Sequence, residues 1–298
     1  MDLYVAISGG LGKNFSFLRV VKHLKKTYNH IFVLSLYWDV FLSSSFIDGI
    51  YKENEQRDFI LEAIKNNGKL VIDRMYDDEQ FIRKELDYSQ AWCKMCGVEQ
   101  SEPDKNIPLD NILKSFPLYK KDVDSINNIL SRYEDFIIIQ FYGGQSSLNR
   151  LSDNNYNPYA ESLKRNYPIN YAQEFIDLYK SKYPNRGIIQ YGLPNEPVIE
   201  GCEHFMVSYL CYYEIAKMNN CKGFISIDSS LQHLITGVVD GVVLWGHTIP
   251  ETFGYKYNKN IIQDCDRDDI FYFTLLGPSG ARINYITPQE LINQCIFE

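Results

Sequence analysis

The chain has 298 residues, 45% hydrophobic and 23% charged, the balance of a soluble globular protein with one large or two medium-sized domains. Its formal net charge of −8 excludes the basic face that phosphate-backbone binding requires, so no nucleic-acid partner is expected. No apolar run reaches the ~18 residues of a membrane span, and MDLYVAISGG lacks the basic start and long apolar stretch of a secretory signal.

Strand and helix patterns alternate from the start. LYVAIS (3–8) predicts a buried strand, and Gly9, Gly10 and Gly12 follow it. Phe15, Phe17, Leu18, Val20, Val21 and Leu24 then recur at helical spacing. HIFVLSL (30–36) predicts the next strand, so the segment reads as a βαβ unit with parallel strands. LVID (70–73) predicts a further strand, and FIRKELDYSQAWCKMCG (81–97) a single helix closed by Gly97. From Val98 to Lys121 the proline- and charge-rich texture predicts a linker or extended crossover. The alternation then restarts with the strand DFIIIQFY (135–142) and the helix YAQEFIDLYKSKYP (171–184). GIIQYG (187–192), HFMVSYLCYYEIAKMNN (204–220), GFISID (223–228) and DGVVLWG (240–246) continue it. TPQELINQCIF (287–297) predicts a terminal helix whose Thr287 and Glu290 form a capping box.

These patterns predict two α/β, doubly wound, Rossmann-like domains joined near residue 120. Two such halves facing each other across a cleft place a ligand crevice at the carboxyl ends of the strands. The seven cysteines, an odd number scattered along the chain, predict reduced thiols and a cytoplasmic location. Cys93-Lys-Met-Cys96 has no second pair at zinc spacing, and no metal site is expected.

The loop AISGGLGKNF fits neither familiar phosphate-binding pattern. A Walker loop needs glycine where Ile7 stands and a hydroxyl residue where Asn14 stands. The dinucleotide fingerprint needs glycine where Phe15 stands. What remains is a strand, a glycine turn and a helix start, which suits close approach of an anion or a plain tight turn equally well.

The second informative stretch is FISIDSSLQHLITGVVDGVVLWG (224–246), where DSSLQH interrupts two apolar runs. Asp228, Ser229 and Ser230 are all good N-caps for a helix starting near Leu231. His233 falls on the first turn of that helix, close to its positive end, so the insert reads either as a structural cap or as a site for phosphate or ribose oxygens.

Asp-Ser-x-x-x-His after a buried strand, followed by VVLWGHTIP, resembles the heptosyltransferases, the ADP-heptose:lipopolysaccharide glycosyltransferase family with the two-domain GT-B fold. Other pieces follow in family order. AISGGLGKNFSFLRVVKHLKKTY is similar to the N-terminal glycine loop and first helix, SLKRNYP to the lysine-x-aromatic-proline segment, IIQYGLPNEP to a Gly-x-x-x-Glu contact, and FGY (253–255) to the closing motif.

The resemblance implies an acceptor-side domain (1–120) and a nucleotide-sugar-binding domain (121–298), with the terminal helix able to pack back on the first. It implies a glycosyltransferase using an ADP-heptose-like donor by an inverting, metal-independent displacement, with no cofactor, and a glycan, lipid-linked or protein acceptor. Asp228, Ser229 and His233 would contact the diphosphate, Lys164 or Arg165 would neutralise it, and Glu196 would hold ribose or sugar hydroxyls. Gly10 and Gly12 would let the backbone approach the donor. The family's aspartate after the glycine loop, the base on the acceptor, is replaced by Lys13. The base must then lie elsewhere, with Asp39 the nearest carboxylate after the second strand and Asp48 and Asp73 as further candidates, while Lys13 would anchor an anionic acceptor or phosphate. Two rival readings follow: a sugar-nucleotide-binding protein of the same fold that lacks transfer, and an NAD-dependent oxidoreductase, which the failed fingerprint disfavours.

Overall fold

The structure, a computed structural model, describes residues 1–110, 112–143, 165–192, 196–265, 283–295 and 297. The chain divides into two compact units, Met1–Pro117 and Leu118–Glu298.

The first unit is built on β1 (Leu3–Ile7), β2 (Ile31–Ser35), β3 (Gly49–Tyr51) and β4 (Lys69–Ile72). They pair in the order β3-β2-β1-β4, every pair parallel. The strand order reverses at β1, so the switch point of this sheet lies between β1 and β4. The predicted first helix is interrupted: α1 (Leu11–Leu18) ends at Arg19, and a short α2 (Val21–Leu24) follows. Gly12 therefore lies inside α1, not in the turn, which Gly9 (φ +94°) and Gly10 form alone. α3 (Gln56–Lys65) covers one sheet face through Phe59 and Ala63, which pack with Tyr4 and Leu34.

The segment expected to be one helix over 81–97 is two, α4 (Glu79–Ile82) and α5 (Tyr88–Cys96). Lys84 takes a left-handed conformation (φ 62°) that stops the first, and Asp87 with Gln90 starts the second through a reciprocal capping box. Gly97 closes α5 at φ 66°, as the sequence predicts. Trp92 on α5 is fully buried, edge-on to Phe17 at 5.1 Å, with its indole N–H donating to Ser16 at 3.0 Å. Burying a side chain of this size contributes on the order of 2–3 kcal/mol. The stretch after Gly97 is not a loose linker. The buried Arg19 guanidinium donates to the carbonyls of Asp104 (2.9 Å) and Lys105 (2.5 Å), and the Asp104 N–H returns a bond to the Arg19 carbonyl. Two helices then follow, α6 (Ile112–Ser115) and α7 (Pro117–Leu130).

The second unit carries six parallel strands: β5 (Asp135–Gln140), β6 (Arg186–Gln190), β7 (Glu203–His204), β8 (Cys221–Ile227), β9 (Gly241–Trp245) and β10 (Lys259–Ile262). Their order is β7-β6-β5-β8-β9-β10, the doubly wound order of dinucleotide-binding sheets, with the switch point between β5 and β8. β5, β8 and β9 are almost wholly buried, which is why they read as continuous apolar runs. α8 (Ile169–Lys182) buries Phe175, Ile176 and Tyr179 against Ile137, Ile139 and Ile188. α9 (Tyr209–Ala216), capped by Ser208, precedes β8, and α10 (Ser230–Ile235) follows it. α11 (Pro250–Phe253) leads to β10, and β11 (Asp264–Cys265) pairs antiparallel with β12 (Ile283–Asn284). The terminal helix α12 (Pro288–Gln294) starts at the predicted Thr287–Glu290 capping box and packs on α8 of its own unit.

All seven cysteines are free. Burial pushes the Cys93 thiol up to about 11 and Cys96 up to about 12, away from the reactive thiolate form. Among the described residues no helix is long and apolar enough to cross a membrane, and no group of three His, Cys, Asp or Glu side chains is placed to hold a metal ion.

Candidate functional site

Each sheet gathers polar side chains at its own switch point, where open α/β sheets bind ligands outside the carboxyl ends of the strands.

In the second unit the two strands flanking that point are β5 and β8. β5 ends at Gln140 and runs through Phe141 and Tyr142 to Gly143; β8 runs into Asp228 and Ser229. Gln140 bridges them. Its Nε2 donates to Ser229 Oγ at 3.0 Å, and its Oε1 accepts the Leu231 N–H at 3.1 Å. The cap of α10 therefore comes from Gln140. Ser229 occupies the N-cap position without a side-chain cap bond, and Asp228 instead accepts from Gln232 Nε2 at 2.9 Å. The cap expected from the DSS triplet is thus supplied by a residue on another strand. Gly143 is needed for this meeting, since a Cβ there would lie 2.5 Å from Ser229 Oγ.

Asp228 is buried and sits beside Arg165, whose Nη1 approaches the Asp228 carbonyl at 3.4 Å. Burial raises the Asp228 carboxyl above its ordinary value, against the opposing pull of the Arg165 guanidinium and the bond from Gln232. Gln232 Oε1 and Tyr142 Oη are buried without a hydrogen-bond partner among the described residues.

His233 is not at the positive end of its helix. It is the fourth residue of a six-residue helix, in its last turn, buried, with Nδ1 2.7 Å from the hydroxyl of Tyr255. A helix this short carries little dipole, and one of its first N–H groups is already taken by Gln140. Among the described residues, Arg165 brings positive charge to this switch point. The Tyr255 contact joins the FGY segment to the DSSLQH insert, a pairing the sequence does not show. Glu196 is buried, and Gly192 admits it closely, because a Cβ on Gly192 would lie 2.9 Å from Glu196 Oε2. The Gly-x-x-x-Glu spacing thus brings Glu196 against Gly192 after β6. Lys164 lies outside the described residues.

In the first unit, Gly10 is the residue before α1, and its carbonyl accepts from Asn14 Nδ2 at 3.0 Å. Lys13 does not stand as an open cationic anchor. Its Nζ lies 2.9 Å from Asp73 Oδ2 and 3.9 Å from the centre of the Tyr76 ring, with both Lys13 and Asp73 buried. Burial lowers the pKa of the amine, opposed by the Asp73 charge. Asp73 follows β4 and takes three further bonds, from Ser8 N and Ser8 Oγ at 3.2 Å each and from Met75 N at 3.2 Å. Asp39 is half-buried in the first turn of a 3-10 helix (Trp38–Ser43) after β2. Asp48 sits at the wrong end of the sheet. It accepts the N–H of Ile31, the first residue of β2, and pairs with Lys25 at 2.7 Å.

No protein-family model matches the chain, and no curated protein does. Among solved structures it is similar in fold to a glycosyltransferase family 9 protein from Veillonella parvula (TM-score 0.60, 13% identity, 100% of this chain and 93% of that one). It is equally similar to the ADP-heptose lipopolysaccharide heptosyltransferase II of E. coli (TM-score 0.60, 11% identity, 99% and 97% covered). A third is the E. coli heptosyltransferase WaaC solved with ADP (TM-score 0.51, 10% identity, 89% and 94% covered). The similarity runs the length of the chain, through both parallel-sheet units, and establishes the α/β fold that the sequence motifs pointed to.

Proposed function

We propose that the protein is a glycosyltransferase that moves a sugar from a nucleotide-sugar donor, ADP-heptose-like, to a hydroxyl on a glycan, lipid-linked or protein acceptor. Two observations support the reading: a fold similar, along its whole length, to that of glycosyltransferases acting on such donors, and the chemistry of the β5/β8 switch point. The second carries it. Arg165, Asp228, Gln140 and Ser229 converge there near Gly143, giving a cation, hydroxyl and amide groups, and a backbone left bare for close approach. A nucleoside diphosphate needs such a site: charge to stabilise the leaving group and polar groups to orient it.

Because the guanidinium supplies the positive charge, the displacement is metal-independent in this reading, and the resemblance extends to inversion at the anomeric carbon. The resemblance to GT-B enzymes favours the donor in the second unit and the acceptor in the first. The seven free cysteines favour a reducing, cytoplasmic location.

A second reading, a nucleotide-sugar-binding protein without transfer, is favoured by the Lys13–Asp73 pair, which occupies the position where the family carries its base. NAD binding is disfavoured by AISGGLGKNF, where Phe15 stands in place of a glycine that the dinucleotide fingerprint needs. A thermal-shift panel of ADP-glucose, GDP-mannose, UDP-glucose and NAD separates these readings. A nucleotide-sugar that raises the melting temperature, with release of its nucleoside diphosphate over time, supports transfer. A shift without release supports binding alone, and a shift with NAD only sinks both.

A further inference from the structure

The switch point of the first unit holds an arrangement that the motifs do not describe. β1 and β4 are neighbours there, and the residues that follow them meet. Ser8, from the end of β1, is exposed, and its backbone N–H and its hydroxyl both donate to Asp73 Oδ2. Asp73, from the end of β4, has a side chain with no solvent exposure. Lys13, from α1, brings its ammonium to 2.9 Å from the same oxygen and over the Tyr76 ring, with the end of its side chain close to Gly9. A buried carboxylate is costly unless compensated, and Lys13 supplies the compensating charge. The result is a carboxylate with no exposure of its own, hydrogen-bonded to the hydroxyl of an exposed residue, Ser8.

We propose that Ser8 and Asp73 form the proton relay of the acceptor side, with Ser8 touching the acceptor hydroxyl and Asp73 acting through it. The inference rests on the glycosyltransferase reading and replaces the carboxylate missing at position 13 with one from the neighbouring strand. In the step, the acceptor oxygen bonds to the anomeric carbon as the bond from that carbon to the diphosphate oxygen breaks. The bonding pair leaves with the nucleoside diphosphate. The acceptor proton passes to Ser8 Oγ while the proton of Ser8 passes to Asp73 Oδ2. Lys13 is a positioning residue: it balances and orients Asp73 and takes no proton in the step. Asp48, by contrast, is at the amino edge of the sheet.

The test uses the full chain and the nucleotide-sugar of the panel that binds best, with water as the acceptor and nucleoside diphosphate release as the readout. Donor affinity is measured first by calorimetry. Ser8→Ala, which leaves the Lys13–Asp73 pair intact, and Asp73→Asn should each lower kcat about a hundred-fold, the scale of general acid–base catalysis, with donor Kd unchanged. Ser8→Thr, which keeps the hydroxyl, should restore most of the rate. A merely structural role would move Kd and kcat together and would not distinguish Thr from Ala. Should Asp73→Asn fail to fold, Ser8→Ala against Ser8→Thr decides alone. A wild-type rate for Ser8→Ala, or a loss carried by Asp39→Asn instead, overturns the relay. Donor binding without any wild-type turnover overturns the relay and leaves the donor site standing; no nucleotide-sugar binding at all removes the glycosyltransferase reading beneath it.

Discussion

Asp228 carries a cost that its neighbours only partly offset, and this has a measurable sign. Its ordinary value is 3.8, and burial raises it in the folded protein despite Arg165 and Gln232. Below pH 3.8 both folded and unfolded forms hold the proton, and the native state has its full contribution. As pH rises through the folded value, folding must hold a buried charge that the unfolded chain solvates freely, so stability is lost. Asp228→Asn should therefore raise the melting temperature at pH 7, and the gain should shrink towards pH 3.5. Thermal unfolding of both proteins at the two pH values checks it; a variant less stable at pH 7 would mean that Asp228 is a structural anchor. The Lys13–Asp73 pair behaves oppositely. Asp73→Asn leaves a buried ammonium uncompensated and should cost about 3–5 kcal/mol, whereas replacing both partners with apolar residues of similar volume should cost much less. Denaturant unfolding of the single and double variants gives the comparison.

At this scale the sequence shows which residue types sit after which strand, and Asp228, Ser229 and Lys13 were legible in that sense. What they touch was not. Gln140 caps a helix from 91 positions away, Asp73 meets Lys13 from 60 positions away, and His233 turns to Tyr255. No local spacing encodes such contacts.

The elements show the same division. Strands buried on both faces, β5, β8 and β9, stand out as apolar runs. The short, half-exposed β3 and β10 have no such run, and the sequence gives no sign of them. Helix ends were legible where a local cap sets them, at Thr287 and Gly97. The break between α4 and α5 was missed because the apolar spacing continues across Lys84, a residue with no preference for the left-handed conformation it adopts. The bridge from β5 to α10 makes a prediction at this level. Gln140→Ala removes the acceptor for the Leu231 N–H and the donor to Ser229, and should cost about 1–3 kcal/mol in denaturant unfolding. Gly143→Ala tests the same bridge from the other side. Its Cβ would displace the Ser229 hydroxyl, so donor affinity should fall more than stability does. A variant that binds the donor as wild type would show that Ser229 is not part of the site.

On the scale of the whole molecule, the alternation of strand and helix made the α/β class with parallel sheets legible, and the chain divides into its compact units after Pro117. Strand order was not legible, because parallel pairing is set by crossovers that leave no local pattern. That order is what places both polar clusters at switch points. One consequence is global: with charge supplied by Arg165, release of nucleoside diphosphate should be unchanged by EDTA, and a strict need for Mg²⁺ or Mn²⁺ would place the leaving-group charge on a different set of ligands.

The most direct test of the central claim, that the β5/β8 switch point holds a nucleotide-sugar diphosphate, is calorimetric titration of the same four ligands into wild type and Arg165→Ala. The account predicts that a nucleotide-sugar binds wild type, that NAD does not, and that the variant, still folded, binds about ten- to a hundred-fold more weakly. That is the roughly 1.5–3 kcal/mol of a hydrogen bond to a charged group. Equal affinities in the two proteins, or binding of NAD alone, would contradict it.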